Sequence, residues 1–377
     1  MKKIAIIGAG ISGLFFANLL KKNSDYDFII FEKRSTLDMN DRYGIQLSVN
    51  SVKLLNQIGF KNIDQKEIFN PQKINFINAK NNQEICDLDI SKFNNDNSQY
   101  TTLQRSTLLK FLLSNISKDK IKLNTELRNL TYDNELTLSF SDNFTKAFDF
   151  LIVSDGVFSK TKSIILNKKI KPKYYNSIAI RGTLRDYSNE DISLYLGSNF
   201  HFVIYPINKN KEFNFISIVR KKLTNQQLMD ENLYNHANFL KSITNELYDK
   251  TSIDLCGKLE NIKSFPIYIS KKLEVSDKKK IFFIGDALFA LPPSFAQGAA
   301  QSIEASQDLF DQIENKTNNF YAKRIERLNS VNWRSKINYF SFHLSNPIIV
   351  YLRDTILRFL VKNKKFLNSY LGKIYRY

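Results

Sequence analysis

Two stretches near opposite ends of this 377-residue chain share one pattern, in which an apolar strand runs into a glycine-containing loop and then a helix. The first is residues 4–7 with the loop Gly8-Ala9-Gly10-Ile11-Ser12-Gly13. The second is residues 281–284, followed by Gly285-Asp286 and later by Gln297-Gly298. A helix that begins at a glycine directs backbone N–H groups toward an anion or an electron-rich ring. We therefore expect one ligand to contact both stretches, which requires a fold that brings the two ends of the chain together.

The first loop has the Gly-x-Gly-x-x-Gly spacing of a dinucleotide-binding turn. Residues 12–22 are predicted to form the helix that follows it, and residues 28–31 a second buried strand ending at Glu32. In such a βαβ unit the first glycine permits a tight turn, the second lets the backbone approach a pyrophosphate, and the third allows the helix to pack closely on the strand. Glu32 stands where an acid can accept hydrogen bonds from ribose hydroxyls. This context favours a cofactor site over a turn in a cofactor-free α/β domain.

The rest of the chain alternates between two kinds of pattern. Helices are predicted at 48–59, 102–113 and 225–248, and short buried strands at 121–123, 150–153 and 263–269. Residues 177–220 alternate strongly between apolar and polar residues, as at Phe200, Phe202 and Ile204, which predicts an antiparallel sheet. The predicted fold class is therefore α/β, with a Rossmann-like cofactor domain, an inserted, mostly antiparallel β-sheet domain for the substrate, and C-terminal helices. The predicted boundaries are 1–70, 101–165 and 276–320 for the cofactor domain, 71–100 and 166–275 for the sheet domain, and 321–377 for the helices.

The chain is strongly basic, with 55 Lys and Arg against 37 Asp and Glu, a net charge of +18. Such a charge raises the question of a nucleic-acid partner. The basic residues are mostly lysines scattered among asparagine and isoleucine, with no single basic stripe and no aromatic RNA-binding signature. The sequence therefore predicts no nucleic-acid partner.

The C-terminal tail is the exception, because from Arg353 onward Asp354 is the only acid among many basic residues. Its apolar residues recur at helical spacing at Ile349, Leu352, Ile356, Phe359 and Leu360. This pattern favours a helix packed on the body of the protein with a solvated basic face. The alternative is a weak peripheral contact between this helix and an anionic membrane.

Other sequence features bear on the class of protein. Cys86 and Cys256 are isolated and histidines are few, which argues against a disulfide framework and predicts no metal site. Nowhere do 18 apolar residues follow one another, so no transmembrane helix is expected and the predicted location is cytoplasmic. A homodimer is left open.

Two further positions have the chemistry of a cofactor site. Arg105 lies in the predicted 102–113 helix, where its guanidinium could bind a phosphate or carboxylate, although a solvated surface arginine is the equal alternative. Asp155-Gly156 follows the buried strand 150–153, as Asp286 follows the strand at 281–284. There the carboxylate can orient a sugar hydroxyl or cap a helix, and the glycine allows the backbone to approach a ligand.

Taken together, these motifs resemble those of the single-component (group A) FAD-dependent aromatic hydroxylases, within them the salicylate hydroxylase and 3-hydroxybenzoate 6-hydroxylase branch. The resemblance covers nearly the whole chain. The segments that carry it are Gly8–Gly13 with Glu32, Arg42–Asn50, Arg105, Ser154-Asp155-Gly156, Arg181-Gly182, Tyr195–Gly197, His201–Pro206, Gly285-Asp286, Pro293 with Gln297-Gly298, and Phe342–Asp354.

The resemblance implies a p-hydroxybenzoate hydroxylase-like fold and a monooxygenase that uses FAD, NAD(P)H and O2. In this family the reduced flavin takes up O2 as a C4a-hydroperoxide, whose distal oxygen is delivered to an activated aromatic carbon. The implied partner is a small aromatic or other lipophilic substrate. The residues that the resemblance assigns to the cofactor are Gly8, Gly10, Ser12, Gly13, Glu32, Lys33, Arg34, Gln46, Arg105, Asp155, Gly156, Asp286, Pro293, Gly298 and Ala299.

The substrate side is less constrained by the sequence. His201 alternates with Phe200 and Phe202 on a predicted strand, and we hypothesise that it is a base that deprotonates a phenolic substrate; the alternative is a structural histidine. The family usually has a histidine where this chain has Phe289, which leaves the substrate open. A quinone-biosynthesis-type hydroxylase, or another flavoprotein oxidoreductase of the same architecture, is the alternative function.

Overall fold

The computed structural model of the chain describes residues 1–37, 39, 42–133, 135–184, 187–253, 255 and 257–376; Cys256 lies outside them. Its strands are β1 (Lys2–Ile7), β2 (Tyr26–Phe31), β3 (Gly44–Leu47), β4 (Ile68–Phe69), β5 (Lys73–Asn78), β6 (Glu84–Asp89), β7 (Thr101–Gln104), β8 (Ile121–Lys122), β9 (Leu127–Tyr132), β10 (Leu136–Phe140), β11 (Thr145–Phe148), β12 (Phe150–Val153), β13 (Lys173–Leu184), β14 (Ile192–Gly197), β15 (Phe200–Pro206), β16 (Phe213–Arg220), β17 (Leu259–Ile269) and β18 (Ile281–Phe283). Its helices are α1 (Ile11–Leu20), α2 (Val49–Asn56), α3 (Arg105–Ser114), α4 (Lys160–Ile165), α5 (Asn225–Met229), α6 (Ala237–Tyr248), α7 (Gly285–Phe289), α8 (Gly298–Ile313), α9 (Phe320–Phe342), α10 (Pro347–Leu360), α11 (Lys364–Leu367) and α12 (Lys373–Tyr375).

The described residues include a five-stranded parallel sheet with the order β18-β12-β1-β2-β8. Its central strands are apolar on both faces because both faces are covered: α1 packs against β1 and β2, and the three-stranded sheet β11-β10-β9 packs against Phe31 of β2. Parallel strands all end at the same edge, so the segments that follow β1, β2, β12 and β18 meet there. Two chain segments separated by more than 270 residues in sequence are thereby brought together, as the sequence predicts.

A second sheet has seven strands in the order β17-β13-β16-β15-β14-β5-β6. Its pairings are antiparallel except between β14 and β5, which run parallel. Alternation on β15 sends Phe200, Phe202 and Ile204 to the face that packs against α6, and His201 and Tyr205 to the opposite face. The predicted fold class is confirmed, including the mostly antiparallel inserted sheet. The predicted domain boundaries stay a prediction.

One element near the site differs from its prediction. Residues 102–113 were expected to be helical throughout, but Thr101–Gln104 form β7, which pairs with β3 and β4. The β-branched Thr101 and Thr102 suit an extended strand, and the partner Gly44–Leu47 satisfies its backbone. The helix α3 therefore begins at Arg105, which lies at its first position. The three-stranded sheet β11-β10-β9 was also not anticipated.

The C-terminal tail forms helices, but α10 is not packed as predicted. Its residues Ile349, Leu352, Ile356 and Phe359 are 47%, 53%, 55% and 68% exposed, so the expectation of a buried apolar face is wrong. The helix touches the body through a narrow contact, in which Leu357 joins a core cluster and the Arg358 Nε donates to the Ile85 carbonyl oxygen at 3.0 Å. Among the described residues, no helix is both long enough and apolar enough to cross a membrane.

A buried ionic network fastens α9 to α8. The Arg324 guanidinium, fully buried, lies 3.0 Å from Asp308 Oδ2 and 3.2 Å from Glu304 Oε2, and it donates to Gln301 Oε1 at 2.5 Å. Arg327 adds a second contact to the same Glu304 carboxylate, with Nη2 at 2.6 Å from Oε1. Buried charges are tolerated only when paired in this way. The long tail helix and the helix that begins at Gly298 are therefore held as one unit.

Candidate cofactor and substrate site

The loop after β1 packs so closely against neighbouring backbone that two of its positions have no room for a side chain. Gly8 has φ +101°, and a Cβ atom there would lie 2.7 Å from the Ser154 carbonyl oxygen. A Cβ atom at Gly13 would lie 2.2 Å from the Gly8 carbonyl oxygen. The Ser154 hydroxyl, 2.8 Å from the Ile7 carbonyl oxygen and 3.0 Å from that of Gly8, fixes the same junction from β12. Glycine is required at both positions for the helix and the neighbouring strand to pack.

Glu32, at the end of β2, holds this loop from the other side. One carboxylate oxygen accepts a hydrogen bond from the Ala9 N–H at 2.9 Å, and the other accepts one from the Arg34 N–H at 3.1 Å. Glu32 is half-buried and the side chains of Lys33 and Arg34 are exposed; none of the three lines the cavity described below. Of these three predicted cofactor residues, only Glu32 therefore contacts the glycine loop through its side chain.

Gly10 and Gly298 are open glycines of the site that stand at the starts of helices. A Cβ atom at either would meet no heavy atom within 4 Å, and both residues lie in the wall of a cavity. Gly10 immediately precedes α1 and Gly298 begins the 16-residue helix α8, where Gln297 provides no side-chain cap. The first N–H groups of a helix have no partner within the helix. Two helix N-termini thus face the same space with room for a ligand beside them.

Asp286 lies on α7 with its side chain exposed to the cavity. Protein surrounds it on the other sides, and this burial raises the pKa of Asp286 to about 6, while the nearby Arg105 guanidinium opposes the rise. Arg105 also lines the cavity, and its backbone N–H donates to the Tyr43 carbonyl oxygen at 2.8 Å. A carboxylate and a guanidinium from segments about 180 residues apart in sequence are therefore brought to one wall.

Asp155 follows β12 and is half-buried. Burial raises the pKa of Asp155. Its Oδ1 is buried and has no hydrogen-bond partner among the described residues. Its Oδ2 accepts a long hydrogen bond of 3.4 Å from the Thr161 N–H at the start of α4. Its neighbours Ser154 and Gly156 line the cavity, although Asp155 does not. The Asp155 carboxylate therefore contacts the start of α4 and is not part of the cavity wall.

The cavity has a volume of about 1080 Å³ and runs between the two sheets. This exceeds the ~300–1,000 Å³ typical of small-molecule sites, so it has room for a large cofactor together with a small molecule. One end is lined by the predicted cofactor residues Gly10, Ser12, Gln46, Arg105, Gly156, Asp286, Pro293, Gly298 and Ala299. The other end is the seven-stranded sheet, where the wall is largely apolar and includes His201 and Tyr205.

His201 is buried and paired with a residue that the sequence did not single out. Its Nδ1 lies 2.7 Å from Nε2 of His343, the residue that follows α9. Burial lowers the pKa of His201 to about 3, and burial together with His201 and Arg220 lowers the pKa of His343. Both imidazoles are therefore neutral at ordinary pH.

Two further residues were missed and support the site from behind. Lys162 is buried, and its Nζ donates to the carbonyl oxygens of Ala287 and Leu288 at 3.0 and 3.2 Å, which holds the end of α7. Burial lowers the pKa of Lys162 to about 8. Asn214 Oδ1 accepts the Gly44 N–H at 2.6 Å. For Lys162 the sequence offers one signal: its spacing from Ile165 and Leu166 places the lysine on the apolar face of α4, where a lysine is unusual.

These features fit a flavin dinucleotide. Two open helix N-termini suit a pyrophosphate and a ring, and the carboxylate of Asp286 can accept hydrogen bonds from sugar-alcohol hydroxyls. Among the described residues, no group of three or more potential His, Cys, Asp or Glu ligands could hold a metal ion. The arrangement is that of a flavoprotein with a single joint cavity for cofactor and substrate.

The family described as "FAD binding domain" matches residues 1–318, which is most of the chain. The protein therefore belongs to this FAD-binding family, and the predicted FAD cofactor is confirmed. The resemblance to FAD-dependent aromatic hydroxylases is also confirmed by the relatives below.

The relatives include 6-hydroxynicotinate 3-monooxygenase of Bordetella bronchiseptica, 20% identical over 312 residues that cover 80% of each protein. Among solved structures, Klebsiella pneumoniae HpxO complexed with FAD and uric acid has a TM-score of 0.79 at 17% identity, covering 99% of this chain and 96% of that one. A salicylate hydroxylase substrate complex has a TM-score of 0.77 at 18% identity, covering 100% of this chain and 95% of that one. At these identities the structural likeness establishes the fold.

The glycines of the first loop give a matched pair of substitutions. Gly10→Ala adds a methyl group toward the cavity at a residue with φ −84°, so we expect a stable fold but FAD binding weakened by about tenfold or more. Gly13→Ala forces a clash with backbone, so we expect loss of folded protein. Thermal unfolding and FAD titration of both variants measure this. Equal FAD affinity in Gly10→Ala and wild type would contradict the placement of the pyrophosphate.

The raised pKa of Asp286 predicts that this residue makes the FAD-free protein less stable at neutral pH than at acidic pH. Its folded value of about 6 exceeds the unfolded value near 3.9, so its stabilising contribution is present below about pH 4 and is lost as the pH rises through about 6. Asp286→Asn should therefore raise the melting temperature of the FAD-free protein at about pH 7.5 and leave it unchanged near pH 4. Asp277→Asn, at an exposed turn, is the control. A gain of equal size at all pH values would contradict the assignment.

Proposed function

We propose that this protein is an NAD(P)H-dependent FAD monooxygenase that hydroxylates a small aromatic or other lipophilic substrate. The observation that carries the proposal is the single cavity that joins the FAD loops to the apolar face of the seven-stranded sheet. A monooxygenase needs this adjacency, because oxygen activated at the cofactor must reach the substrate before it escapes to water. The curated relative named 6-hydroxynicotinate 3-monooxygenase and the HpxO complex with uric acid support the same class of reaction.

The reaction balances as substrate-H, O2, NAD(P)H and a proton giving substrate-OH, water and NAD(P)⁺. When bound, FAD supplies hydride acceptance and oxygen activation. In this proposal the residues around Gly8, Gly10, Ser12 and Gly13 bind the ADP half of FAD, and Arg105 contacts its pyrophosphate region. Asp286 orients the ribityl chain, and the backbone at Gly298 and Ala299 faces the flavin ring.

Four further residues belong to the proposed FAD site: Gln46, Glu32, Lys33 and Arg34. Gln46 lines the cavity and accepts a hydrogen bond from the Tyr100 hydroxyl at 2.7 Å, which fixes its amide beside the proposed cofactor. Both carboxylate oxygens of Glu32 accept hydrogen bonds from backbone N–H groups. The proposed contact with the adenosine ribose is additional to these two bonds. Lys33 and Arg34 would reach the adenine end only from the surface.

The cavity wall indicates the substrate class. Apolar side chains from the sheet, such as Ile192, Leu194 and Ile216, suit an aromatic ring, and the polar groups among them are few. One is Arg181, whose guanidinium lies 5.6 Å from the centroid of the Tyr43 ring. Phe289, the position that left the substrate open, packs against the core of the parallel sheet and does not line this cavity.

The working location proposed for the protein is the cytoplasm, where NAD(P)H is supplied. The unpaired thiol of Cys86 is compatible with a reducing compartment.

The test is turnover by the FAD-loaded protein with NADH or NADPH across phenols, benzoates, hydroxypyridines and quinone precursors. A substrate should accelerate NAD(P)H oxidation and gain one ¹⁸O atom from ¹⁸O2, with the other atom appearing in water. Hydrogen peroxide is assayed in parallel to separate hydroxylation from uncoupled oxidation. Failure of the purified protein to bind FAD, or peroxide as the sole oxygen product with every compound, would contradict the proposal.

His201 remains the proposed substrate contact, but its surroundings favour a different role from the base predicted from the sequence. His343 Nδ1 is buried and has no partner among the described residues. A proton there would be an unsatisfied buried donor, which costs about 1–3 kcal/mol. The favoured tautomer therefore has His343 Nε2–H donating to His201 Nδ1, and the proton of His201 on Nε2. His201 then offers the cavity a hydrogen-bond donor, and its low pKa makes it a weak base.

Replacement of His201 separates the two roles. Gln can donate a hydrogen bond and cannot act as a base, so His201→Gln should keep most of kcat/KM, whereas His201→Ala should lose up to about tenfold at every pH. His236→Ala, at an exposed histidine, is the control. The kcat/KM of each variant is measured across pH with the substrate found above. A loss in both His201 variants that depends on pH would restore the base, and unchanged activity in both would remove His201 from the mechanism.

A further inference from the structure

The exposed apolar residues of this protein are concentrated on its C-terminal helices. Ten of the fifteen exposed large hydrophobic side chains of the described residues lie on α9 and α10. We call the outer part of this surface the tail face, defined by Trp333, Ile337, Phe340, Ile348, Tyr351, Leu352, Ile356 and Phe359, which are between 39% and 72% exposed. A soluble monomer rarely exposes so many large apolar side chains together, which indicates a binding surface.

The C-terminal segment that carries the tail face is almost entirely basic. Residues 327–377 contain ten Lys and Arg and a single acid, so they carry +9 of the net +18. The acid is Asp354, and it is engaged by the Arg353 Nε at 2.8 Å. Exposed cations next to the face are Lys336, Arg358, Lys362, Lys364 and Lys365. A partner for this surface must therefore offer negative charge around an apolar interior.

A second copy of the chain does not meet this requirement. Two tail faces packed against each other would bring two cationic rims together with no exposed acids on residues 327–376 to neutralise them. An anionic bilayer does meet it, because phosphate headgroups attract lysine and arginine while the headgroup–acyl boundary accepts apolar side chains.

We propose that the tail face docks on the surface of an anionic lipid bilayer. The helix α10 has 14 residues and is about 21 Å long, too short to cross the ~30 Å hydrocarbon core, so it lies in the plane of the interface. Ile348, Leu352 and Phe359 recur at the spacing of one helical face and enter the acyl boundary. Lys362 and Lys365, just beyond α10, reach the headgroups.

Docking has a consequence for access to the site. Trp333, Ile337, Phe340, Leu352 and Ile356 belong both to the tail face and to the wall of the cavity. The mouth between α9 and α10 therefore opens toward the bilayer, and a lipophilic substrate enters from the lipid rather than from water. This consequence rests on the proposed monooxygenase function, whereas docking itself does not.

The test uses the FAD-loaded full chain and vesicles of phosphatidylcholine with about one third phosphatidylglycerol. Trp333 is the only tryptophan of the chain and lies on the tail face, so its emission reports contact directly. We expect flotation with these vesicles, a blue shift of Trp333 emission, and quenching by brominated acyl chains. All three should weaken at high salt and with vesicles of phosphatidylcholine alone.

Matched variants separate the apolar and charged contributions. Ile348→Ser with Phe359→Ser, which removes apolar area without changing charge, should reduce vesicle binding by about tenfold or more, and Met229→Ser, at an 82% exposed residue on α5, should not. Lys362→Glu with Lys365→Glu should have a similar effect, and Lys271→Glu with Lys272→Glu, also exposed, should not. Retained FAD absorbance shows that each variant is folded.

Two outcomes would overturn the proposal. One is Trp333 emission that does not respond to anionic vesicles, with no flotation at low salt. The other is a dimer in lipid-free solution that Ile348→Ser with Phe359→Ser dissociates while vesicle binding is unchanged, which would make the tail face an interface between copies. Neither depends on turnover, so a failed activity assay leaves the docking result interpretable.

Discussion

The close approach of α1 to the loop after β1 is the contact on which the rest of the site depends. Because Gly13 has no side chain, the helix can lie against the Gly8 carbonyl, and the Ser154 hydroxyl fastens this junction to β12. The same helix then meets α8, where the Ser306 hydroxyl donates to the Ser12 carbonyl oxygen at 3.0 Å. Gly285 completes the junction, since a Cβ atom there would lie 2.9 Å from that of Ser12. A few small residues thus position both helix N-termini that face the cavity.

The seven-stranded sheet forms a wall of the cavity only because it is joined to these cofactor loops. Its apolar face becomes a substrate wall only because β3 and β7 join it to the cofactor loops, with the Thr102 hydroxyl donating to the Pro206 carbonyl oxygen at 2.5 Å. The C-terminal helices close the opposite side, and His343 reaches from the end of α9 to His201 on the sheet. Cofactor loops, sheet and tail each supply part of one cavity.

The sequence was informative where a local pattern has one physical solution. Buried runs such as residues 4–7 and the glycine spacing after them predict a parallel strand and its turn, and the structure has both. The segment 102–113 was misread because four residues are too few to separate a strand from the first turn of a helix. The pairing of His201 with His343 joins positions 142 apart in sequence, and no local periodicity encodes such a contact. Helical spacing in α10 likewise revealed an apolar face but not whether protein covers it.

The Arg324 network joins residues inside the family match to residues beyond its end. The family match ends at residue 318, whereas Glu304 and Asp308 on α8 are neutralised by cations on α9, beyond that limit. A fragment cut at the end of the match would leave two buried carboxylates without these partners, on the helix whose first residue faces the cofactor cavity. The segment that the family match covers is therefore smaller than the set of helices whose buried charges pair, and a chain cut at residue 318 would be destabilised at α8, the helix that begins beside the cofactor cavity.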